Sequence, residues 1–288
     1  MALDSTEKRT LESIQARVLW LATRMIDYAN RERKSEDGLK VGGHQASSAS
    51  MVTIMTALYF KYLSAGDRVS VKPHASPVFH AIQYLLGNLE KKYLTQLRQA
   101  GGLQSYPSRT KDPDPVDFST GSVGFGAAAP LFAGLVRRYV NSHFGERPES
   151  KFIAIIGDAE LDEGVVWEAV ADPATKGLGN TLWIVDFNRQ SLDRVIPGVR
   201  IVQWRAQFEA AGWHVAECKY GSRLKKVLQT PGSEGFIQWF DDIANEQYQS
   251  LFNLSPELAR ARFLEGAPEG VHTFSERYSD EEFFQIIT

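Results

Sequence analysis

Two short apolar runs in this chain each end in a side chain carrying an oxygen ligand. They are Ile153-Ala154-Ile155-Ile156-Gly157-Asp158 and Trp183-Ile184-Val185-Asp186-Phe187-Asn188. A β-branched apolar run that stops at a polar residue reads as a buried parallel strand delivering that residue at its carboxyl end. Open α/β sheets bind ligands at that edge. A carboxylate and an amide carbonyl are hard oxygen donors, suited to magnesium held together with a phosphorylated ligand. About thirty residues separate Asp158 from Asn188, the span of a strand–helix–strand crossover between parallel neighbours. Gln190 offers a backbone carbonyl as a third ligand. Gly157 permits close approach of a phosphate to the backbone, and the turn after it presents amides near a helix start. Gly157-Asp158 alone is equally a simple strand-end turn; Asn188 at the end of a second strand is what favours a metal and a diphosphate.

Two of the six histidines, His44 and His74, lie in small, turn-forming surroundings at the start of an expected helix. There a histidine either caps the helix or hydrogen-bonds a phosphate and shuttles a proton near neutral pH. Neither has an acidic or cysteine neighbour at zinc-ligand spacing. His80, His143, His214 and His272 read as structural or surface residues. Gly121-Ser122-Val123-Gly124-Phe125-Gly126 has the spacing of a dinucleotide fingerprint but follows a proline-rich loop instead of a strand, so that context fails. It reads either as a glycine turn that presses Val123 against a flat ring or as plain helix–sheet packing. Glu160, Asp162 and Glu163 are acid–base candidates or, equally, acidic residues placed to complement a helix dipole.

The elements that must position these groups follow from periodicity. Apolar residues at three- and four-residue steps predict helices over 7–33, from about 51 to 62, from 74 to 86, from about 125 to 139, and over 163–171. Strands are expected at 68–72, 151–156, 181–187 and 213–218, and further helices at 203–211, 236–248 and 256–263. Residues 101–118, with paired glycines and Asp112-Pro113-Asp114-Pro115, read as a surface-tracking loop. The alternation predicts an α/β fold, a mainly parallel central sheet with helices on both faces. The expected organisation is an amino-terminal helical segment over 1–34 and one domain over 35–288.

With 288 residues, 43% hydrophobic and 23% charged, the composition is that of an ordinary globular protein. A net charge of -3 gives no electrostatic case for nucleic acid or an anionic membrane surface. The lone cysteine, Cys218, excludes an internal disulfide. The amino terminus lacks the order of a signal peptide and no apolar run approaches a membrane span, so a cytoplasmic location is expected.

Taken together and in order, Gly42-Gly43-His44-Gln45-Ala46-Ser47, His74-Ala75-Ser76-Pro77, Leu103-Gln104-Ser105-Tyr106-Pro107, Ser119-Thr120-Gly121-Ser122-Val123-Gly124-Phe125-Gly126, Gly157-Asp158-Ala159-Glu160-Leu161-Asp162-Glu163, Asn188-Arg189-Gln190-Ser191-Leu192-Asp193 and Ala211-Gly212-Trp213-His214-Val215 resemble the amino-terminal half of the thiamine diphosphate enzymes of the transketolase superfamily. Within it they are most similar to the homodimeric bacterial pyruvate dehydrogenase decarboxylating component. The resemblance covers residues 35 to 250 and implies the thiamine diphosphate-binding fold, with thiamine diphosphate and Mg2+ as cofactors. It implies that Asp158, Asn188 and the Gln190 carbonyl hold the metal. It places His44, Ser47 and His74 near the diphosphate and the reacting carbon, Val123 on the aminopyrimidine, Gly157, Ala159 and Glu160 beside the metal, and Leu192 at the pocket wall. His44 and His74 are the implied catalytic residues.

The family's usual Gly-Asp-Gly reads Gly157-Asp158-Ala159 here, which is compatible with the turn if residue 159 has negative φ. The resemblance also implies a pyrimidine-binding domain, on the same or a separate chain, that supplies the activating glutamate; no residue here is a candidate for it. The implied activity is decarboxylation of a 2-oxo acid such as pyruvate in a dimer or hetero-oligomer. Transfer of a two-carbon ketol unit between sugars, or a non-catalytic assembly module keeping the fold, are the alternatives. The amphipathic pattern from Asp280 to Thr288 leans towards a fragment of a longer enzyme over a split subunit.

Overall fold

The computed structural model describes residues 3–34, 38, 41–43, 45–187, 199–218 and 220–288. By its internal contacts the chain divides into two units, Met1–Asn188 and Arg189–Thr288.

The first unit opens with α1, Ser5–Asp27. Asp4 caps it by accepting from the Thr6 and Glu7 amides at 2.7 and 2.8 Å, while the Glu7 carboxylate accepts from the Asp4 amide. A wide turn of π type, Tyr28–Glu32, ends the helix. After it come α2 (Gln45–Ala49) and α3 (Val52–Ala57), the latter again closed by a π-type turn, Leu58–Tyr62. Then follow β1 (Arg68–Ser70), α4 (Ser76–Leu85), α5 (Phe125–Phe144), β2 (Phe152–Gly157), α6 (Gly164–Ala171) and β3 (Thr181–Asp186).

The three strands form one parallel sheet in the order β1-β2-β3, with Val69 opposite Ile153 and Gly157 opposite Asp186. All six residues of β2 are buried, as its unbroken apolar run requires of a central strand. Alternation assigns the two faces. Val69, Val71, Ile153 and Ile155 pack into a core with Val18 and Leu21 of α1, Met55 of α3 and Val78 and Ile82 of α4. The opposite face meets α5. A side chain at Gly126 would touch Ser70, one at Gly134 would meet Thr181, and the Arg137 guanidinium lies over the Phe152 ring. Helices therefore cover both faces of a parallel sheet, the expected α/β architecture, and helix α1 shares the first unit's core.

The second unit is helical among the described residues: α7 (Val199–Ala210), α8 (Ser222–Leu228), α9 (Glu234–Asp242), α10 (Asn245–Ser250), α11 (Pro256–Leu264), α12 (Glu269–Ser275) and α13 (Asp280–Ile287). Its core is aromatic: the Phe236 ring lies 5.2–6.0 Å from those of Phe240, Phe263, Phe274 and Phe283. The strand expected at 213–218 does not form. Its alternation places Trp213 against Phe208 of α7, edge to face at 5.8 Å, so local aromatic packing accounts for a pattern that resembled a strand. No helix among the described residues is long and apolar enough to cross a membrane.

Candidate active site at the carboxyl edge of the sheet

The β2 strand delivers Asp158 as its sequence pattern required. Asp158 is buried and opens a 3-10 turn, Asp158–Asp162, whose last residues lead into α6. Two bonds shape this turn. The Glu160 carboxylate reaches back to accept from the Gly157 amide at 3.0 Å, and the Trp167 indole N–H donates to the Leu161 carbonyl at 2.7 Å. The other oxygen of Glu160 accepts from the Gly124 amide at 3.4 Å. One buried carboxylate thus joins the strand-end turn to the glycine turn that begins α5. Burial pushes the Glu160 carboxyl above the ordinary glutamate range, against the lowering influence of those two amides and of Lys72. Asp162 and Glu163 are exposed.

Ala159 fits the turn. Among the described residues only Arg98 combines a side chain with positive φ, so the methyl group of Ala159 carries no left-handed strain. Gly124 does need to be glycine: its φ is +84°, and a Cβ there would lie 2.7 Å from a Val165 methyl. The turn leaves Val123 and Phe125 exposed.

The other candidates divide by what the structure describes. His74 is exposed and meets the Tyr106 ring edge to face at 5.9 Å. Ser47 is half-buried on α2. His44, Asn188, Gln190 and Leu192 lie outside the described residues. The chain just before position 44 is firmly held: Asn30 accepts from the Gly42 amide at 2.7 Å and donates to the Gly43 carbonyl at 3.2 Å. Arg98 donates to the Val41 carbonyl at 3.1 Å and stacks its guanidinium on Tyr106, the same ring that His74 meets. Residues 41–43 and His74 therefore share a scaffold built by Asn30, Arg98 and Tyr106.

Three polar residues at this edge were missed in the sequence. Lys72, just past β1, is buried with its ammonium 2.7 Å from Asp186 Oδ2, and Ser50 Oγ donates to the same oxygen at 2.7 Å. The rule that marked Asp158, a polar residue ending an apolar run, marks Lys72 after Val69-Ser70-Val71 and Asp186 after Ile184-Val185 equally well. Nothing local marks Ser50. A separate group, buried His80 and Asp114 with half-buried Asp112, has ligand-capable atoms within 4.8 Å of one another. His80 Nδ1 lies 2.8 Å from Asp114 Oδ2, and Asp112 accepts from the Gln104 and Ser108 amides. The bonds fix the loop over 101–118, in keeping with His80 as a structural residue.

A buried carboxylate, a lysine and a glycine-shaped turn thus stand together at the carboxyl ends of parallel strands, the edge where open α/β sheets bind ligands. Solved structures share this fold. The transketolase from Leishmania mexicana superposes with a TM-score of 0.61 at 22% identity, over 73% of this chain and 32% of its own. That from Campylobacter jejuni gives 0.57 at 22%, over 74% and 33%.

In sequence, residues 40–230 match the family described as transketolase, thiamine diphosphate binding domain, and the chain belongs to that family. Curated relatives include the pyruvate dehydrogenase E1 components of Escherichia coli K12, 29% identical over 88% of this chain, and of Mycobacterium tuberculosis, 27% over 94%. The chain spans 30% of the length of each.

Proposed function

We propose that this chain is the diphosphate- and metal-binding half of an enzyme that decarboxylates a 2-oxo acid, pyruvate being favoured by the names of the curated relatives. The observation that carries the reading is the Glu160 bridge. It ties the turn bearing Asp158 to the turn bearing Val123, the two places where the ends of one thiamine diphosphate would rest. The donor chemistry fits: Asp158 supplies a hard carboxylate for Mg2+, with Asn188 and the Gln190 carbonyl as the further ligands. Gly157, Ala159 and Glu160 shape the cradle, Ser47 and His44 border the diphosphate, and Val123 and Leu192 contact the organic rings.

Bound thiamine diphosphate supplies the nucleophile and electron sink that decarboxylation of a 2-oxo acid needs. The chain's own contribution is positioning and proton handling. His74, exposed at the rim and braced by Tyr106, holds or moves a proton at its imidazole near the substrate, with His44 as its companion. The domain reading is a helical segment over 1–34 joined to a diphosphate-binding domain over 35–288, working with a pyrimidine-binding part on the same or another chain. The apolar side chains of Phe125, Phe132, Val136 and Tyr139, exposed along α5, offer a face for such a partner. The reaction is placed in the cytoplasm.

Calorimetric titration with thiamine diphosphate in the presence and absence of MgCl2 tests the binding half of this reading. Magnesium-dependent binding is expected, and its absence overturns the reading. Release of CO2 from pyruvate after addition of the pyrimidine-binding region of a pyruvate dehydrogenase relative tests the enzymatic half.

A further inference from the structure

We propose that Lys72 is a diphosphate-binding residue, stored against Asp186 and Ser50 while the site is empty and turned to the phosphate oxygens when magnesium thiamine diphosphate binds. The inference rests on reading this edge as a diphosphate site and adds to it a residue that brings positive charge.

Lysine is almost never buried unless paired, and Lys72 is 4% exposed. Its partner is Asp186, whose Oδ2 accepts both the ammonium and the Ser50 hydroxyl, each at 2.7 Å. A buried ion pair of this kind contributes little net stability, because desolvation of both charges offsets their attraction. Its position gives it a different use. Gly157 lies opposite Asp186 in the sheet register, immediately before Asp158. A Cβ on Gly157 would come within 3.2 Å of Lys72 Cε and 3.7 Å of its Nζ. Gly157 has φ -82°, a conformation open to any residue, so what a side chain there would crowd is the lysine and not the backbone.

The charges point the same way. Asp158, Glu160 and Asp186 gather carboxylates at the edge that is to receive a diphosphate. Magnesium offsets part of that repulsion, and a lysine ammonium, which binds phosphate as a point charge, offsets more. Its four-carbon stem lets Lys72 move from carboxylate to phosphate without backbone change.

Titration of the full chain with magnesium thiamine diphosphate, and separately with magnesium and inorganic diphosphate, tests the assignment. Lys72→Met is expected to weaken both ligands by about 10- to 100-fold, the size of a lost bond to a charged group. Lys72→Arg retains most of the affinity. Asp186→Asn, which removes the competing carboxylate, binds both ligands more tightly. The double variant Lys72→Met/Asp186→Asn, which leaves no buried charge unpaired, guards against misfolding and shows the same loss as Lys72→Met. A wild-type chain that binds neither ligand refutes the diphosphate site itself. Wild-type binding matched by the double variant, or weakened by Asp186→Asn, overturns the role of Lys72 alone.

Discussion

Buried charge is shared unequally between the two units. Residues 1–188 enclose Asp67, Lys72, His80, Asp114, Asp158, Glu160 and Asp186. In the second unit the buried polar residues among those described are Ser233 and Ser275, and each donates its hydroxyl to a nearby carbonyl, Leu228 at 2.9 Å and His272 at 2.7 Å. Some of the first unit's charges are structural: Asp67 accepts from the Ser64 and Lys151 amides and shapes a turn. Those at the strand ends are not explained by turns alone. An interior built for stability uses phenylalanine, as α9, α11, α12 and α13 do; an interior built to bind a charged ligand accepts the desolvation cost of carboxylates and a lysine.

That contrast can be broken at several points. Phe236→Ala, which removes the ring shared by four aromatic neighbours, is expected to cost about 3–5 kcal/mol in denaturant titration. Folded molecules of the variant should still bind magnesium thiamine diphosphate. Asp158→Ala should do the reverse, weakening that ligand by roughly 100-fold, about 3 kcal/mol, in calorimetry, with no loss of thermal stability. A destabilised Asp158→Ala chain would make the carboxylate a structural group like Asp67.

A pH series sharpens the point at Glu160. Burial raises its carboxyl in the folded chain, so its contribution to stability is complete below the ordinary glutamate range and is lost as pH rises through the raised value. Glu160→Gln removes that titration. The variant's stability relative to wild type should therefore climb from acid towards neutral pH, and parallel curves would refute the assignment. The smallest effect is expected at an exposed pair of the second unit. Arg205→Ala, which breaks the bond to Glu217, should change stability by less than about 0.5 kcal/mol.

Much of the first unit was legible in the sequence because strand and site share one signal. The run Phe152–Gly157 announced both a central strand and the residue at its end. In the first unit periodicity placed the helices to within about a turn, although α5 runs on to Phe144, past the expected end near residue 139; in the second, α9 and α10 stand where one helix over 236–248 was expected, and α8 and α12 were not marked. Trp213–Cys218 misled because alternation also arises where one aromatic residue folds back on a helix. Lys72 and Asp186 escaped notice for a different reason. Each ends an apolar run as Asp158 does, but their pairing, 114 residues apart in sequence, follows only from the parallel register that ends β1 and β3 on either side of β2. The scaffold of Asn30, Arg98 and Tyr106 depends on contacts across 12 to 57 residues, which no local pattern carries.

The Glu160 bridge has a consequence in time as well as space. The amides of Gly157 and Gly124, 33 positions apart in the chain, end on the two oxygens of one carboxylate. Withdrawal of the Glu160 side chain frees both at once, which couples the two turns in one opening unit. In native-state hydrogen exchange the two amides should share a single protection free energy, and ligand binding should slow both by the same factor. The loops that grip opposite ends of a cofactor would then open and close on one clock.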